Sequence, residues 1–312
     1  MREKPRICVV GSSMIDLISR VPRLPKLGET LIGRSFHLGY GGKGANQAVM
    51  AAKLGAHVTM VSKVGRDVFG EGTIKNYRDH GIDTTYVMYD EKQFSGVAPI
   101  FVDDNAQNFI VIVPGANSQL SPADVRQARE AILNADIVIC QLEIPIETTM
   151  EAFRVAKEGN ILTILNPAPA APIPEDLFKM TDICAPNETE AEQITGVPVN
   201  TPRDAKAAAR KLLSLGTRTV ILTLGERGAL LVEQDSEENI PPIPVDAIDP
   251  TGAGDAFIGS LAVFLSEGLS LREAVRRANA VAAMSVKKIG TQVSFPTRIE
   301  VDDFLRTHDL LI

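Results

Sequence analysis

From Ser121 onward the chain alternates helical segments with short, continuously apolar runs: a helix over 122–134, a strand over 137–142, a helix over 147–158, and strands over 162–165 and 182–185. Short apolar strands separated by helices predict a parallel sheet packed by helices on both faces. The run 7–11 is the first such strand, and no internal repeat or low-complexity tract interrupts the pattern. With 312 residues, 45% of them hydrophobic, the chain can bury a sizeable core, and 1–312 reads as a single α/β domain.

Two stretches break the rhythm. Residues 17–41 carry Pro22, Pro25, Gly28, Gly33 and Gly39 among short alternating segments such as 30–36, which no helix can run through. Residues 96–113 form a β-branched alternating hairpin, 97–102 and 109–113, around a polar turn at 103–108. Insertions at about 14–41 and 95–114 therefore predict a small accessory sheet beside an open, mainly parallel α/β sheet.

Chemistry concentrates in 249–260, Asp249-Pro-Thr-Gly-Ala-Gly-Asp-Ala-Phe-Ile-Gly-Ser. A β segment is expected over 243–248, and the apolar run 256–265 suits a buried helix. Gly252 and Gly254 then lie at a helix N-terminus, where unpaired amides and the helix dipole can hold an anion such as a phosphoryl oxygen. Asp255, in the same turn, is either a carboxylate favourably placed on the dipole or a base beside the anion site.

A net charge of −7 disfavours the basic surface that nucleic acid or an anionic membrane would require. No run is long enough to span a bilayer, and residues 1–6 lead straight into a strand too short for a signal core, so a cytoplasmic protein is expected. Cys8, Cys140 and Cys184 sit in apolar strands and read as reduced core residues. His37, His57, His80 and His308 show no ligand or triad spacing.

Other polar positions cluster where strands end. Asp16 follows the first strand, as an Asx-type turn or a ligand contact. Glu143 follows the strand 137–142, as a solvated loop residue or another contact. Gly39, Gly41 and Gly44 satisfy G-x-G-x-x-G, but the loop follows an irregular segment, and the next strand, 58–61, ends in Ser62-Lys63 without the acidic residue a dinucleotide site needs. No P-loop is present. Asn187 and Glu190 fall within one turn at a strand-to-helix junction, which suits a helix cap or hard ligands for Mg²⁺. Gly225 and Gly228 lie between the strands 219–224 and 230–233, marking a hairpin or a close approach to a ligand.

The strings GGKGANQA (41–48), NPAPA (166–170), PNETEAE (186–192), TLG (223–225) and TGAGD (251–255) together resemble the ribokinase-type carbohydrate kinases, over essentially the whole chain from Gly11 to Ser294. The resemblance implies ATP-dependent phosphorylation of a sugar hydroxymethyl group, with D-ribose to ribose 5-phosphate the best single assignment. It implies that Asp255 takes the hydroxyl proton, that Gly252, Ala253 and Gly254 shape the anion site, and that Asp16, Gly42, Lys43, Asn46 and Glu143 hold the sugar. Asn187 and Glu190 would orient Mg²⁺ and the phosphates, and Thr223, Gly225, Gly228, Gly254 and Asn279 would border the nucleotide. Asp249, Thr251, Ser285, Lys288, Gly290 and Ser294 would encircle a monovalent cation, K⁺. The accessory sheet would be a lid over the sugar and a homodimer contact. Members often have Asn where this chain has Met14, so one hydrogen bond to the sugar is missing. Fructose, 2-keto-3-deoxygluconate or a nucleoside are the rival substrates. A nicotinamide oxidoreductase rests on the three glycines alone, and a non-catalytic sugar-binding protein has no need for Asp255 beside an intact anion turn.

Overall fold

The computed structural model of the chain describes residues 4–105, 107–308 and 310. Its first strands are β1 (Arg6–Val10), β2 (Met14–Arg20), β3 (Ser35–Gly41), β4 (His57–Gly65), β5 (Asp83–Asp90), β6 (Gly96–Val102) and β7 (Asn108–Ile110). They are followed by β8 (Ile137–Cys140), β9 (Leu162–Leu165), β10 (Ile183–Cys184), β11 (Thr219–Thr223), β12 (Ala229–Val232) and β13 (Glu237–Ile240). The helices of the first half are α1 (Lys43–Lys53), α2 (Val68–Asp79), α3 (Pro122–Gln127), α4 (Arg129–Leu133) and α5 (Ile146–Glu158). Those of the second half are α6 (Glu175–Lys179), α7 (Glu188–Thr195), α8 (Pro202–Ser214), α9 (Ala253–Ser266), α10 (Leu271–Ser285) and α11 (Arg298–Thr307).

Nine strands form the main sheet in the order β13-β12-β11-β10-β9-β8-β1-β4-β5. Every pairing from β11 to β5 is parallel, while β12 and β13 add an antiparallel edge. Period-two alternation sends Ile7 and Val9 of β1 to one face, where α1, α9 and α10 cover them, and Cys8 and Val10 to the other, under α3 and α5. The three cysteines are buried and unpaired, as their apolar surroundings predict. Each fully buried aromatic such as Phe153, Phe257 or Phe264 contributes about 1.5–3 kcal/mol relative to exposure.

The two insertions meet as a separate four-stranded sheet, β3-β2-β6-β7. Its register pairs Asp16 with Gly39 and Ala98, and Ser19 with Phe36 and Phe101. One face therefore carries Met14 and Asp16, and the opposite face Leu38, Phe36 and Phe109.

Several expected boundaries shift. The 243–248 segment makes no ladder; it carries Pro244, which lacks a donor, and runs as an extended connection into α9. Residues 122–134 form two helices, because the backbone steps out of helical geometry at Ala128, φ −86° and ψ 8°. Residues 30–33 are loop, and β3 begins only at Ser35. The proline-rich loop that follows β9 leaves an interior strand of the sheet. No helix among the described residues is long and apolar enough to cross a membrane.

Candidate active site

The chain runs from β1 outward to β4 and β5, then returns to place β8 on the other side of β1. Strand order therefore reverses between β1 and β8, and a crevice at their C-terminal ends is the natural ligand position in an open parallel sheet. Ser12 leaves β1 there and Glu143 follows β8, with the Ser12 hydroxyl donating to Glu143 Oε2 over 2.5 Å and the Lys43 amide donating to the same oxygen over 2.8 Å. The glycine-rich loop thus leads from the second sheet into α1 over this crevice, which explains why its G-x-G-x-x-G spacing is no dinucleotide fingerprint.

Asp255 enters from α9, a helix buried along nearly its whole length. Gly252 caps it in the left-handed region, φ 82°, turning the extended connection into the helix. Gly259, one turn after Asp255, lets α1 lie directly against α9; a Cβ there would come within 2.6 Å of the Gln47 carbonyl. This close crossing brings two amides to the Asp255 carboxylate: Asn46 donates to Oδ2 and Gln47 to Oδ1, each over 2.9 Å. Asp255 is 6% exposed, and burial raises its pKa against the pull of Lys43, Asn46 and Gln47.

Three more carboxylates share this field. Asp16 is pushed up to about 6 by burial and then by repulsion from Glu143 and Asp255. Its oxygens lie where a Cβ on Gly41 would sit at 2.5 Å, so a glycine opposite is what admits them. Burial also raises Glu143 and Glu190. Lys43 is the compensating cation: burial lowers its pKa, but Asp255, Glu143 and Glu190 together hold it above the usual lysine value. Met14, 4% exposed, lies on the same face of the second sheet as Asp16.

Beside Asp255 opens a cavity of about 140 Å³ lined by Lys43, Asn187, Glu190, Thr223 and Gly254. A side chain on Gly254 would meet nothing within 4 Å, so the first turn of α9 presents bare backbone to this space. The Ala253 amide donates back to the Pro250 carbonyl over 3.2 Å, which leaves Gly254 and Asp255 as the first-turn amides for an anion. Asn187 caps α7 and closes a capping box with Glu190, whose oxygens accept from the Asn187 amide at 2.8 Å and from its side chain at 3.0 Å. A partly exposed Glu190 carboxylate next to an amide oxygen fits Mg²⁺ held by one carboxylate, water and phosphate. A larger cavity, about 290 Å³, opens beside Arg6, His57, Asp83 and Glu130 at the N-terminal ends of the strands, away from these groups.

The remaining expected residues fall into two groups. Gly228 packs against the backbone of Pro241 and Pro242, and Asn279 donates to the Pro241 carbonyl over 3.3 Å, so these two meet at one rim. Thr223 ends β11, and Gly225, φ 54°, starts the turn that joins β11 to β12. Glu188, at the surface beside them, pairs with Arg227 of that turn. The second group occupies two adjoining loops. Asp249 Oδ1 accepts from the Thr251 amide at 3.0 Å and Oδ2 from the Gly290 amide at 2.9 Å, while the Ile248 amide donates to Val286 over 2.7 Å. Ser285 and Ser294 are buried in the same segment, and Lys288 projects outward toward Glu300. An Asp249 carboxylate held below its ordinary pKa by the Gly290 and Thr251 amides, between these two loops, suits a monovalent cation.

Gln47, Asn166, Gln141, Gln292 and Ser12 also belong to the site, although they were not singled out as site residues by sequence. Gln47 and Asn166 fall inside the GGKGANQA and NPAPA strings, and Gln141 lies with Glu143 at the C-terminal end of the expected strand 137–142, whereas Gln292 carries no such signal.

The model of the family described as pfkB family carbohydrate kinase matches residues 4–298. The chain belongs to that family. This carbohydrate kinase is 43% identical over 304 residues to a deoxyribokinase of Salmonella typhimurium, covering 97% of this chain and 99% of the relative. It is equally 43% identical to a ribokinase of Mus musculus, covering 94% and 93%. Among solved structures, the Arabidopsis thaliana ribokinase complexed with ribose and ATP superposes with a TM-score of 0.91 at 34% identity, covering 97% and 99%. The mixed α/β sheet with a small separate sheet is the fold this pfkB kinase shares with the solved ribokinase.

Proposed function

We propose that this kinase transfers the γ-phosphoryl group of ATP to O5 of a pentofuranose. The observation that carries the reading is Asp255, buried at the start of α9 with both oxygens held by amides, and bordering the cavity that Glu190, Lys43 and the Gly254 backbone share. Asp255 accepts the hydroxyl proton as O5 bonds to phosphorus and ADP departs. A loose phosphoryl-transfer transition state asks for little deprotonation in advance, so positioning matters more than basicity. The amides of Gly254 and Asp255, with Lys43, face the oxygens in transfer. Asp16, Gly42, Asn46 and Glu143 hold the sugar, while Thr223, Gly225, Gly228 and Asn279 border the nucleotide. Mg²⁺, oriented by Asn187 and Glu190, would neutralise phosphate charge, and K⁺ would be held by the loops of Asp249, Thr251, Ser285, Lys288, Gly290 and Ser294.

The sequence alone favours D-ribose. Met14 favours 2-deoxy-D-ribose as the better substrate, because a thioether leaves a nearby sugar hydroxyl without its hydrogen bond, and a sugar lacking one hydroxyl loses nothing there. The Salmonella relative named a deoxyribokinase supports that choice.

ADP release from MgATP with potassium tests the reading, comparing D-ribose, 2-deoxy-D-ribose, D-fructose, 2-keto-3-deoxygluconate and adenosine. Turnover of both pentoses, faster with the 2-deoxy sugar, is expected. A dominant hexose, keto acid or nucleoside would reassign the substrate, and binding without ADP release would favour a sugar-binding protein.

The chain acts as one domain, its second sheet closing over the sugar as a lid. The outward face of that sheet leaves Phe36 59% and Leu38 49% exposed, with Phe109 beside them, which supports docking of a second copy there. Leu38→Glu should shift the enzyme to a monomer in sedimentation. The acidic charge and buried reduced cysteines suit a cytoplasmic enzyme with no nucleic-acid or membrane partner.

A further inference from the structure

The groups that donate to Asp255 are neutral amides whose polarity is fixed from the centre outward. As a base Asp255 works ionised, and a carboxylate only accepts hydrogen bonds. Gln47 must therefore turn its NH₂ toward Asp255, and Nε2 donates to Asp255 Oδ1 at 2.9 Å and to Asn166 Oδ1 at 3.0 Å. Asn166 is set in that sense by its own donation to the Ala185 carbonyl, at 3.1 Å. Gln47 Oε1 is left as an acceptor, and Gln141 supplies Nε2 to it over 2.6 Å. Gln141 Oε1 then points into the space beside Gly11, where it finds no hydrogen-bond partner among the described residues. Reversing the Gln141 amide would set two carbonyl oxygens against each other, so the unpaired oxygen follows from the polarity that Asp255 imposes.

A second arm runs in the same direction. Asn76 donates to Gln292 at 2.9 Å, Gln292 to Asn46 at 3.0 Å, and Asn46 to Asp255 Oδ2 at 2.9 Å. Every donor in this arm points inward. Gln47, Gln141 and Gln292 are all buried.

We infer that Gln47, fixed by Gln141 behind it, is a positioning residue for phosphoryl transfer: the inward-polarised amides clamp the Asp255 carboxylate in one orientation, its remaining lone pairs aimed at the substrate hydroxyl. The inference rests on the kinase reading above. Lys43 from α1, Asp16 from β2, Glu143 after β8 and Glu190 from α7 are the charged groups that act on Asp255, and none of them donates to its oxygens in place of Gln47.

Gln47→Met and Gln141→Met keep the side-chain bulk; the first removes the amide that donates to Asp255 and Asn166, the second the amide that holds Gln47 Oε1. Steady-state kinetics, calorimetric sugar binding and the pH profile of kcat at saturating sugar are compared with the wild type. Both variants should lose roughly ten- to a hundred-fold in kcat while sugar Kd stays close to wild type. The acid limb of kcat should move to higher pH in Gln47→Met, because a charged carboxylate that loses a donor is protonated more easily. Wild-type kcat in either variant, or an unmoved limb in Gln47→Met, overturns the inference, as does loss of sugar binding and folding in both, which would make the amides purely structural. If the wild-type protein itself releases no ADP with any sugar, the kinase reading has failed and this inference falls with it.

Discussion

The Lys53 ammonium donates to the Phe295 carbonyl over 2.7 Å, and to that of Gln292 over 2.8 Å. A half-buried cation thus fastens the last turn of α1 to the segment carrying Gly290 and Ser294. Asn46 and Gln47 lie two turns earlier on the same helix, so the helix that orients Asp255 is anchored to the loop proposed to hold K⁺.

Lys53→Met should keep the alkyl packing but strand two carbonyls. We expect a loss of about 1–3 kcal/mol, read as a melting temperature lowered by several degrees. The potassium concentration for half-maximal activity should rise, because the loop is no longer pre-formed. Thermal scans and a potassium titration check both, and an unchanged potassium requirement would separate the anchor from the cation loop.

Asp255→Asn replaces an acceptor with an amide that cannot take a proton. The buried volume and the α9 turn should survive, so sugar affinity by calorimetry is expected to stay near wild type while kcat falls by about 10²–10⁴-fold. Near-normal turnover would remove Asp255 from the role of base.

The main sheet was legible because parallel strands covered on both faces are apolar at consecutive positions, as Ile7 to Val10 are. The TGAGD turn was legible because its glycines and carboxylate answer to backbone geometry. The 243–248 segment misled because its apolar composition resembles a strand, while Pro244 denies it a ladder. The amides escaped for a different reason. Gln47 reaches Asp255 across 208 positions and Gln292 reaches Asn46 across 246, contacts set by the α1–α9 crossing and by loop packing, with no local spacing to betray them.

Met14→Asn tests the choice between pentoses. It should restore a polar partner on the face that carries Asp16, and so raise kcat/KM for D-ribose relative to 2-deoxy-D-ribose by about tenfold, the value of one well-made hydrogen bond. Competition assays with both sugars read the ratio directly. An unchanged ratio would place the discriminating contact elsewhere.

Asp16 gives the site a pH signature in both stability and binding. Its folded pKa of about 6 lies above the ordinary 3.8 because burial and the neighbouring Glu143 and Asp255 penalise the charged form. Protonation therefore favours the folded state: the benefit is complete below the unfolded value and is lost as pH rises through about 6. At neutral pH the ionised carboxylate costs on the order of 3 kcal/mol, from 1.36 kcal/mol per pKa unit. Asp16→Asn should consequently raise the melting temperature at pH 7.5, and this gain should shrink steadily as pH falls toward 4. Sugar affinity should move the opposite way, weakened in the variant and, in the wild type, falling below about pH 6 as the acceptor is protonated. Melting curves and sugar titrations across pH 4–8 measure both, and a variant no more stable than wild type at pH 7.5 would mean that the carboxylate is already compensated before the sugar arrives.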